Sequence, residues 1–402
     1  MKNLSISLRA KNTPASAIRR LMPLADAAKK RGIKIYHLNI GQPDLPMPEK
    51  FILAIKHFDK KILEYAPSSG FSSVVSAWQK FYKDKGVNFE TKDIIVTNGG
   101  SEGLLFSFLA IADPGDELIV FEPFYTNYAN FAALAGIKLK PVRTYAEAGF
   151  HLPAREIIEK AITVKTRGII VCNPNNPTGT CYTPAEVKML ADLAIKHNLF
   201  IISDEPYQEI VFDGCEILPF ALLPKIVGQL IVVDSVSKRF NLCGARVGCV
   251  ASKNEEVMQA ILRFAQGRLA VPTLEQLAIV PLLENYQIYL KKIVKIYQKR
   301  RDVAIMELQK IPGVKIVNPE GAFYVMPKLP IKDSDEFAEF LLKDFSDNGE
   351  TVMIAPATGF YVTKGLGKNE VRLAFVLEEK KLKRAIELLV LAVERFNKAK
   401  CR

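Results

Sequence analysis

Histidine and tryptophan are the scarcest chemistry-bearing side chains in this 402-residue sequence. There are four histidines (His37, His57, His151 and His197) and one tryptophan. The six cysteines, Cys172, Cys181, Cys215, Cys243, Cys249 and Cys401, include no CxxC pair and none spaced with histidine as metal ligands are. No metal site is therefore expected, and several of the cysteines sit in apolar runs where they read as small core residues. Residues 1–21 hold no continuous apolar stretch, so no signal peptide is expected. The longest apolar runs, such as 230–233, are far too short to cross a bilayer. Internal repeats and low-complexity tracts are missing too. These absences point to a reduced, cytoplasmic protein with no membrane partner.

Present in excess is positive charge, +12 overall from 55 Lys+Arg against 43 Asp+Glu. Such a balance raises the question of a polyanionic partner. The basic residues are scattered, however, as at 29–31, 60–61, 291–292, 299–301 and 380–381, each within an amphipathic or turn-like stretch. No helix-turn-helix, zinc-finger or RNA-binding signature accompanies them. Solvated helix faces, with some attraction for small anionic metabolites, account for them without nucleic acid.

The hydrophobic fraction of 49% and charged fraction of 24% are those of a globular protein, and the length suggests two or three domains. Short β-rich runs at 94–96, 118–121, 168–172, 199–202, 230–233 and 248–250 alternate with segments of helical spacing. Apolar strands separated by helices imply an α/β fold, its mostly parallel sheet flanked by helices on both faces. The C-terminal third reads as a smaller α+β domain: a basic helix near 286–310, strands at 314–317, 321–326 and 371–375, and helices at 334–345 and from 380. The expected organisation is an N-terminal segment, 1–46, joining that small domain (286–402), with a large domain at 47–285.

Ligands of open α/β sheets sit beyond the carboxyl ends of the strands, so the residues there are the natural place to look for chemistry. Thr97-Asn98-Gly99-Gly100-Ser101-Glu102 opens a helix with glycines and a serine, an anion cradle or an ordinary strand-to-helix turn. Glu122-Pro123-Phe124-Tyr125-Thr126-Asn127-Tyr128 offers an aromatic that either stacks on a planar ligand or belongs to the core. Asn173-Pro174-Asn175-Asn176-Pro177-Thr178-Gly179 is more constrained than a plain loop requires. In Ser203-Asp204-Glu205-Pro206-Tyr207 a carboxylate ends a buried strand, costly without a cationic partner, although a helix N-cap also explains Asp204. Asp234-Ser235-Val236-Ser237-Lys238-Arg239, with Arg246 close behind, gathers hydroxyls and cations around a lysine able to act as a nucleophile. In one register these signals describe a site for a phosphate-bearing, planar, cationic ring beside a reactive lysine.

The strings at 173–179, 203–207 and 235–238 with Arg246, together with Asn369-Glu370-Val371-Arg372-Leu373, resemble the class I and II aminotransferases. These are pyridoxal-phosphate enzymes of fold type I, and within them the likeness is to bacterial aspartate aminotransferase-like enzymes. It runs nearly end to end, from Leu38-Asn39-Ile40-Gly41-Gln42-Pro43-Asp44 to Gly321-Ala322-Phe323-Tyr324 and beyond. The resemblance implies pyridoxal 5′-phosphate held as a Schiff base by Lys238, which then shuttles the proton. It implies Asp204 on the ring nitrogen, Asn176 and Tyr207 on the phenolate oxygen, and Tyr125 stacked on the ring where many relatives carry tryptophan. Gly100, Ser101, Ser235, Ser237 and Arg246 would hold the phosphate. Tyr65 would reach it from the partner subunit of a homodimer. Arg372 would clamp the substrate carboxylate, with the Gly41 backbone closing over it.

The implied activity transfers an amino group between an L-amino acid, aspartate-like or of broad specificity, and a 2-oxo acid such as 2-oxoglutarate. Alanine, aromatic or kynurenine-type donors, and β-lyase chemistry, are the alternatives on the same fold. Some dicarboxylate-specific relatives place a lysine where this chain has Ser101, leaving Arg19, Arg268 or neither to bind a distal carboxylate. Ser235-x-x-Lys238 also matches a serine acyltransferase motif, but the accompanying Lys-Thr-Gly is missing. With about 40 residues ahead of the first motif, no DNA-binding module of an aminotransferase-like regulator is expected.

Overall fold

Strands with continuous apolar runs require cover on both faces, and the central sheet of this chain receives it. The computed structural model describes residues 4–16 and 18–400, so Cys401 lies outside the described residues. Its strands are β1 (Lys34–His37), β2 (Ile94–Thr97), β3 (Glu117–Glu122), β4 (Lys138–Arg143), β5 (Thr166–Cys172), β6 (Phe200–Asp204), β7 (Leu230–Ser235), β8 (Gly248–Ala251), β9 (Tyr324–Val325), β10 (Glu350–Met353), β11 (Ala355–Pro356) and β12 (Val371–Ala374). Seven of them form one sheet in the order β2-β8-β7-β6-β5-β3-β4. β8 runs antiparallel to both its neighbours, and the other pairs are parallel.

Side chains alternate across a strand, and the two halves of the core follow that rule. Leu118 and Val120 of β3 join the cluster containing Leu104, Phe108, Tyr128 and Ile261, whereas Ile119 and Phe121 join the one containing Trp78, Leu190 and Ile279. The fold is thus α/β, with a mostly parallel sheet between helical layers, as expected. All six expected central runs fall in or overlap strands. β4 escaped detection because it is an edge strand, polar at alternate positions and interrupted by Pro141.

The remaining strands form a parallel pair, β1 with β10, and a three-stranded sheet, β11-β12-β9. The expected strand at 314–317 is reduced to a single bridge between Lys315 and Lys328, and of 321–326 only β9 is a strand. Helices Gln287–Leu308, Ser334–Lys343 and Glu379–Lys400 occupy the expected stretches. Leu38 donates to Met353 O and accepts from Ala374 N, and Asn39 O accepts from Arg372, which holds the start of the 38–42 segment against β12. Among the described residues, no helix is long and apolar enough to cross a membrane.

Candidate active site

Because β2, β5, β6 and β7 point the same way, their carboxyl ends share a rim. β8, running the other way, begins at that rim, so Arg246, two residues before it, arrives there as well. A cleft of about 520 Å³ opens at this rim, closed on its far side by residues 40–42, Tyr324 and Arg372. Gly41, Gly100, Ser101, Tyr125, Asn176, Asp204, Tyr207, Ser235, Ser237, Lys238, Arg246 and Arg372 all line it. Tyr65 does not: in the single chain it is 83% exposed. Arg19 lines the cleft, whereas Arg268 is committed elsewhere, paired with Glu102 at 3.2 Å and donating to Ser68 O and Val96 O.

At the anion end, the helix Gly99–Ile111 starts directly after β2 and presents Gly100 and Ser101 in its first turn. Ser235 caps the short helix Val236–Arg239, its hydroxyl accepting from Ser237 N at 3.1 Å and lying 2.7 Å from the Ser237 hydroxyl. Arg246 donates to Cys243 O at 3.0 Å and Asn98 O at 3.2 Å. Two helix N-termini, three hydroxyls and a guanidinium therefore converge, an arrangement that favours a polyvalent anion.

Deeper in, Asp204 is 5% exposed and accepts a 2.5 Å hydrogen bond from the Tyr128 hydroxyl. Burial pushes its carboxyl up to about 7; the Tyr128 bond pulls against that shift and Asp234 adds to it. The Tyr207 hydroxyl lies 2.9 Å from that of Tyr324. Asn127 donates to the Tyr125 hydroxyl at 2.9 Å, fixing that ring. Burial raises both Tyr125 and Tyr207 above the usual phenol range, so both remain protonated donors at neutral pH. Asn176 is held by its loop, in which Asn175 Oδ1 accepts from the Thr178 hydroxyl at 3.0 Å and Gly179 N donates to Asn175 O at 2.9 Å.

Arg372, 2% exposed, donates to Asn176 Oδ1 at 3.1 Å and Asn39 O at 2.7 Å, while its Nε is buried without an acceptor. Its guanidinium lies 4.5 Å from the Tyr324 ring centroid and 5.0 Å from that of Phe360. Lys238 Nζ donates to Gly41 O at 2.7 Å. A Cβ at Gly41 would fall 1.9 Å from the Tyr324 hydroxyl, so only glycine lets this segment close over the cleft. Among the described residues, no carboxylate pairs with Lys238, Arg246 or Arg372, and no cation pairs with Asp204.

Tyr128 and Tyr324 received no role from the sequence. Both lie inside strings singled out there, and an aromatic flanking a strand end is a signal too common to choose between neighbours.

A family model described as "Aminotransferase class I and II" matches residues 33–389. Aspartate/prephenate aminotransferase of Thermus thermophilus is 31% identical over 370 residues, 89% of this chain and 91% of that protein. Aromatic-amino-acid aminotransferase 2 of Thermococcus litoralis is 31% identical, over 96% of this chain and 97% of its own. Among solved structures, the aspartate aminotransferase of Thermus thermophilus with maleate superposes with a TM-score of 0.87 at 29% identity, covering 97% of this chain and 100% of that one.

Proposed function

The chain belongs to the class I and II aminotransferases, and from that premise we propose that its cleft holds pyridoxal 5′-phosphate and moves an amino group between an L-amino acid and a 2-oxo acid such as 2-oxoglutarate. The observation that carries the reading is the pattern of uncompensated charge. Among the described residues, one buried carboxylate lacks a cation and three cations lack carboxylates, all around a single cleft. A ligand with a cationic ring nitrogen, a phosphate and a neighbouring carboxylate would match Asp204, Arg246 and Arg372 in turn, and a carbonyl on it would take Lys238 as a neutral amine. The residues present fit that group.

In this reading Asp204 holds the ring nitrogen, oriented by Tyr128, and Tyr207 with Asn176 faces the ring oxygen. Tyr125 covers a ring face, and Gly100, Ser101, Ser235, Ser237 and Arg246 hold the phosphate. When bound, pyridoxal phosphate supplies a carbonyl for the amine and an electron sink for the Cα–H electrons. Lys238 holds the cofactor and then carries a proton on Nζ. Arg372 binds the substrate α-carboxylate through two parallel donors, pre-aimed by Asn176 and Asn39 O.

Further, we propose a homodimer in which Tyr65 reaches the partner's phosphate site, a reading supported by the exposure of Tyr65 beside the exposed apolar Ile62 and Leu63. Residues 1–46 and 286–402 would form a small domain that adjusts over a large domain at 47–285. A cytoplasmic setting agrees with the free thiols of the five described cysteines. The names of the relatives speak for aspartate and aromatic amino acids as substrates, so we place this enzyme as aspartate-like with broad acceptance.

Initial rates across a panel of amino acids with 2-oxoglutarate test the activity. Borohydride reduction of the yellow holoenzyme tests the anchor, since the cofactor should be fixed on Lys238. Inactivity with every glutamate-coupled pair, or a label on another lysine, would overturn the assignment.

A further inference from the structure

Three chain segments that each carry a cleft residue meet at a second cluster whose members do not line the cleft. Asn176 precedes Cys181 by five residues, Tyr207 precedes Cys215 by eight, and Tyr324 follows Glu320 by four. The ligand-capable atoms of Cys181, Cys215 and Glu320 all lie within 4.8 Å of one another.

Their framework is rigid. Glu320 N and Gly321 N both donate to Gly179 O at 2.9 Å, and Phe212 N donates to Glu320 O at 2.8 Å. Arg301 ties the two turns together, donating to Asp213 Oδ2 at 2.6 Å and Pro319 O at 3.0 Å. The carboxylate is already aimed, since Glu320 Oε2 accepts from Cys181 N at 3.0 Å. A Cβ at Gly321 would come within 2.8 Å of Cys181 Sγ, so glycine is what lets the sulfur sit where it does.

We propose that Cys181, Cys215 and Glu320 form a binding site for a soft divalent cation of the zinc class, with a fourth position left to water. Two sulfurs and one carboxylate are a donor set that zinc accepts. Tetrahedral coordination asks for donors about 3.5–3.8 Å apart, a small contraction from the present cluster. Binding turns two thiols into metal-bound thiolates and releases two protons to solvent. Cys181 is buried, whereas Cys215 and Glu320 are partly exposed and leave an entry path. A bound ion would pin together the segments that hold Asn176, Tyr207 and Tyr324. Sequence spacing pointed to no metal site because the outer two ligands stand 139 residues apart and meet only through the fold.

The test uses the full-length, cofactor-loaded protein, kept reduced with a phosphine and stripped of metal. It is titrated with Zn²⁺ against a chromophoric chelator, and with Cd²⁺ while the ultraviolet thiolate band is followed. One ion per chain is expected, with a thiolate–cadmium band and a melting temperature that rises with added Zn²⁺. The double substitution Cys181→Ser, Cys215→Ser should weaken binding about 100-fold or more, and Glu320→Gln about 10-fold. Should the double variant fail to fold, the wild-type cadmium band and Glu320→Gln still decide the matter. Reduced protein that takes up no stoichiometric ion overturns the site. So does binding that survives these substitutions, or a Cys181–Cys215 disulfide as the only chemistry seen.

Discussion

Three pairs of sequence neighbours divide the charge of this protein between two regions. Asp204, Lys238 and Arg19 line the cleft, and no partner of opposite charge meets them among the described residues. Beside them in sequence, Glu205, Arg239 and Arg20 are satisfied by other side chains. Arg239 donates to Asp234 at 2.9 Å and Glu209 at 2.5 Å, Glu209 also pairs with Lys85, and Glu205 accepts from Ser203 and Gln208. Arg20 pairs with Asp335. The closed network completes itself within the fold, whereas the open set is complete only with a ligand. An uncompensated buried charge costs stability, so the cleft is a region where the apo protein is stabilised less than its neighbour a residue away.

The largest effect should separate Lys238 from Arg239. Lys238→Ala is expected to lower transamination by about 10⁴-fold. The variant should still bind cofactor noncovalently, and its unfolding free energy should move by no more than about 1 kcal/mol. Arg239→Ala strands Asp234, leaves Glu209 with Lys85 alone, and is expected to lose about 3–5 kcal/mol of stability. Kinetics and urea unfolding on the two variants check this; equal stability losses would erase the division between the regions.

Next in size is the pH dependence of the apo protein. The Asp204 carboxyl moves from an ordinary 3.8 to about 7 on folding. Between those values the folded chain keeps a proton that the unfolded chain has released, so stability falls as pH rises through the window. Above it the penalty is complete, about 4 kcal/mol by the free energy of a pKa shift. Asp204→Asn removes this term, and the variant should exceed apo wild type in stability above the window but not below it. Glu205, also pushed up to about 7 chiefly by burial, contributes its slope to both proteins and leaves the difference intact. In the loaded enzyme a cationic ring nitrogen against Asp204 should abolish the difference. Urea midpoints on either side of the window, with and without cofactor, provide the check.

How far the sequence disclosed all this follows from what is local. The strands were legible because β5, β6 and β7 each hold a continuous apolar run, at 169–172, 200–202 and 230–233, and a run of that kind needs no partner to be recognised. The site residues were legible because each stands next to a strand end, where chain order predicts position. The roles of Tyr128 and Tyr324 are not legible in the sequence because each lies in one hydrogen bond made across the fold, to Asp204 and Tyr207. Arg268 looked as suitable as Arg19 until Glu102 and two backbone carbonyls proved to hold it. Side-chain direction across the fold cannot be read from spacing.

The smallest expected effect concerns Arg19 and Arg20. Arg19 is exposed, donates its backbone N–H within the turn begun by Ser16, and extends its side chain along the cleft wall. An exposed cation that meets a carboxylate contributes about 0.2–1 kcal/mol. Arg19→Ala should therefore lower kcat/KM for aspartate by only about two- to fivefold, leaving alanine and phenylalanine unchanged. Arg20→Ala breaks the pair with Asp335 and should shift stability by a similar small amount without altering the ratio between substrates. Dicarboxylate selectivity that follows Arg19 alone would extend the division between open and closed charges to the mouth of the cleft. Selectivity that ignores both arginines would confine that division to the buried residues, and the distal carboxylate would then have to be met by neutral donors such as Ser101 and Asn127.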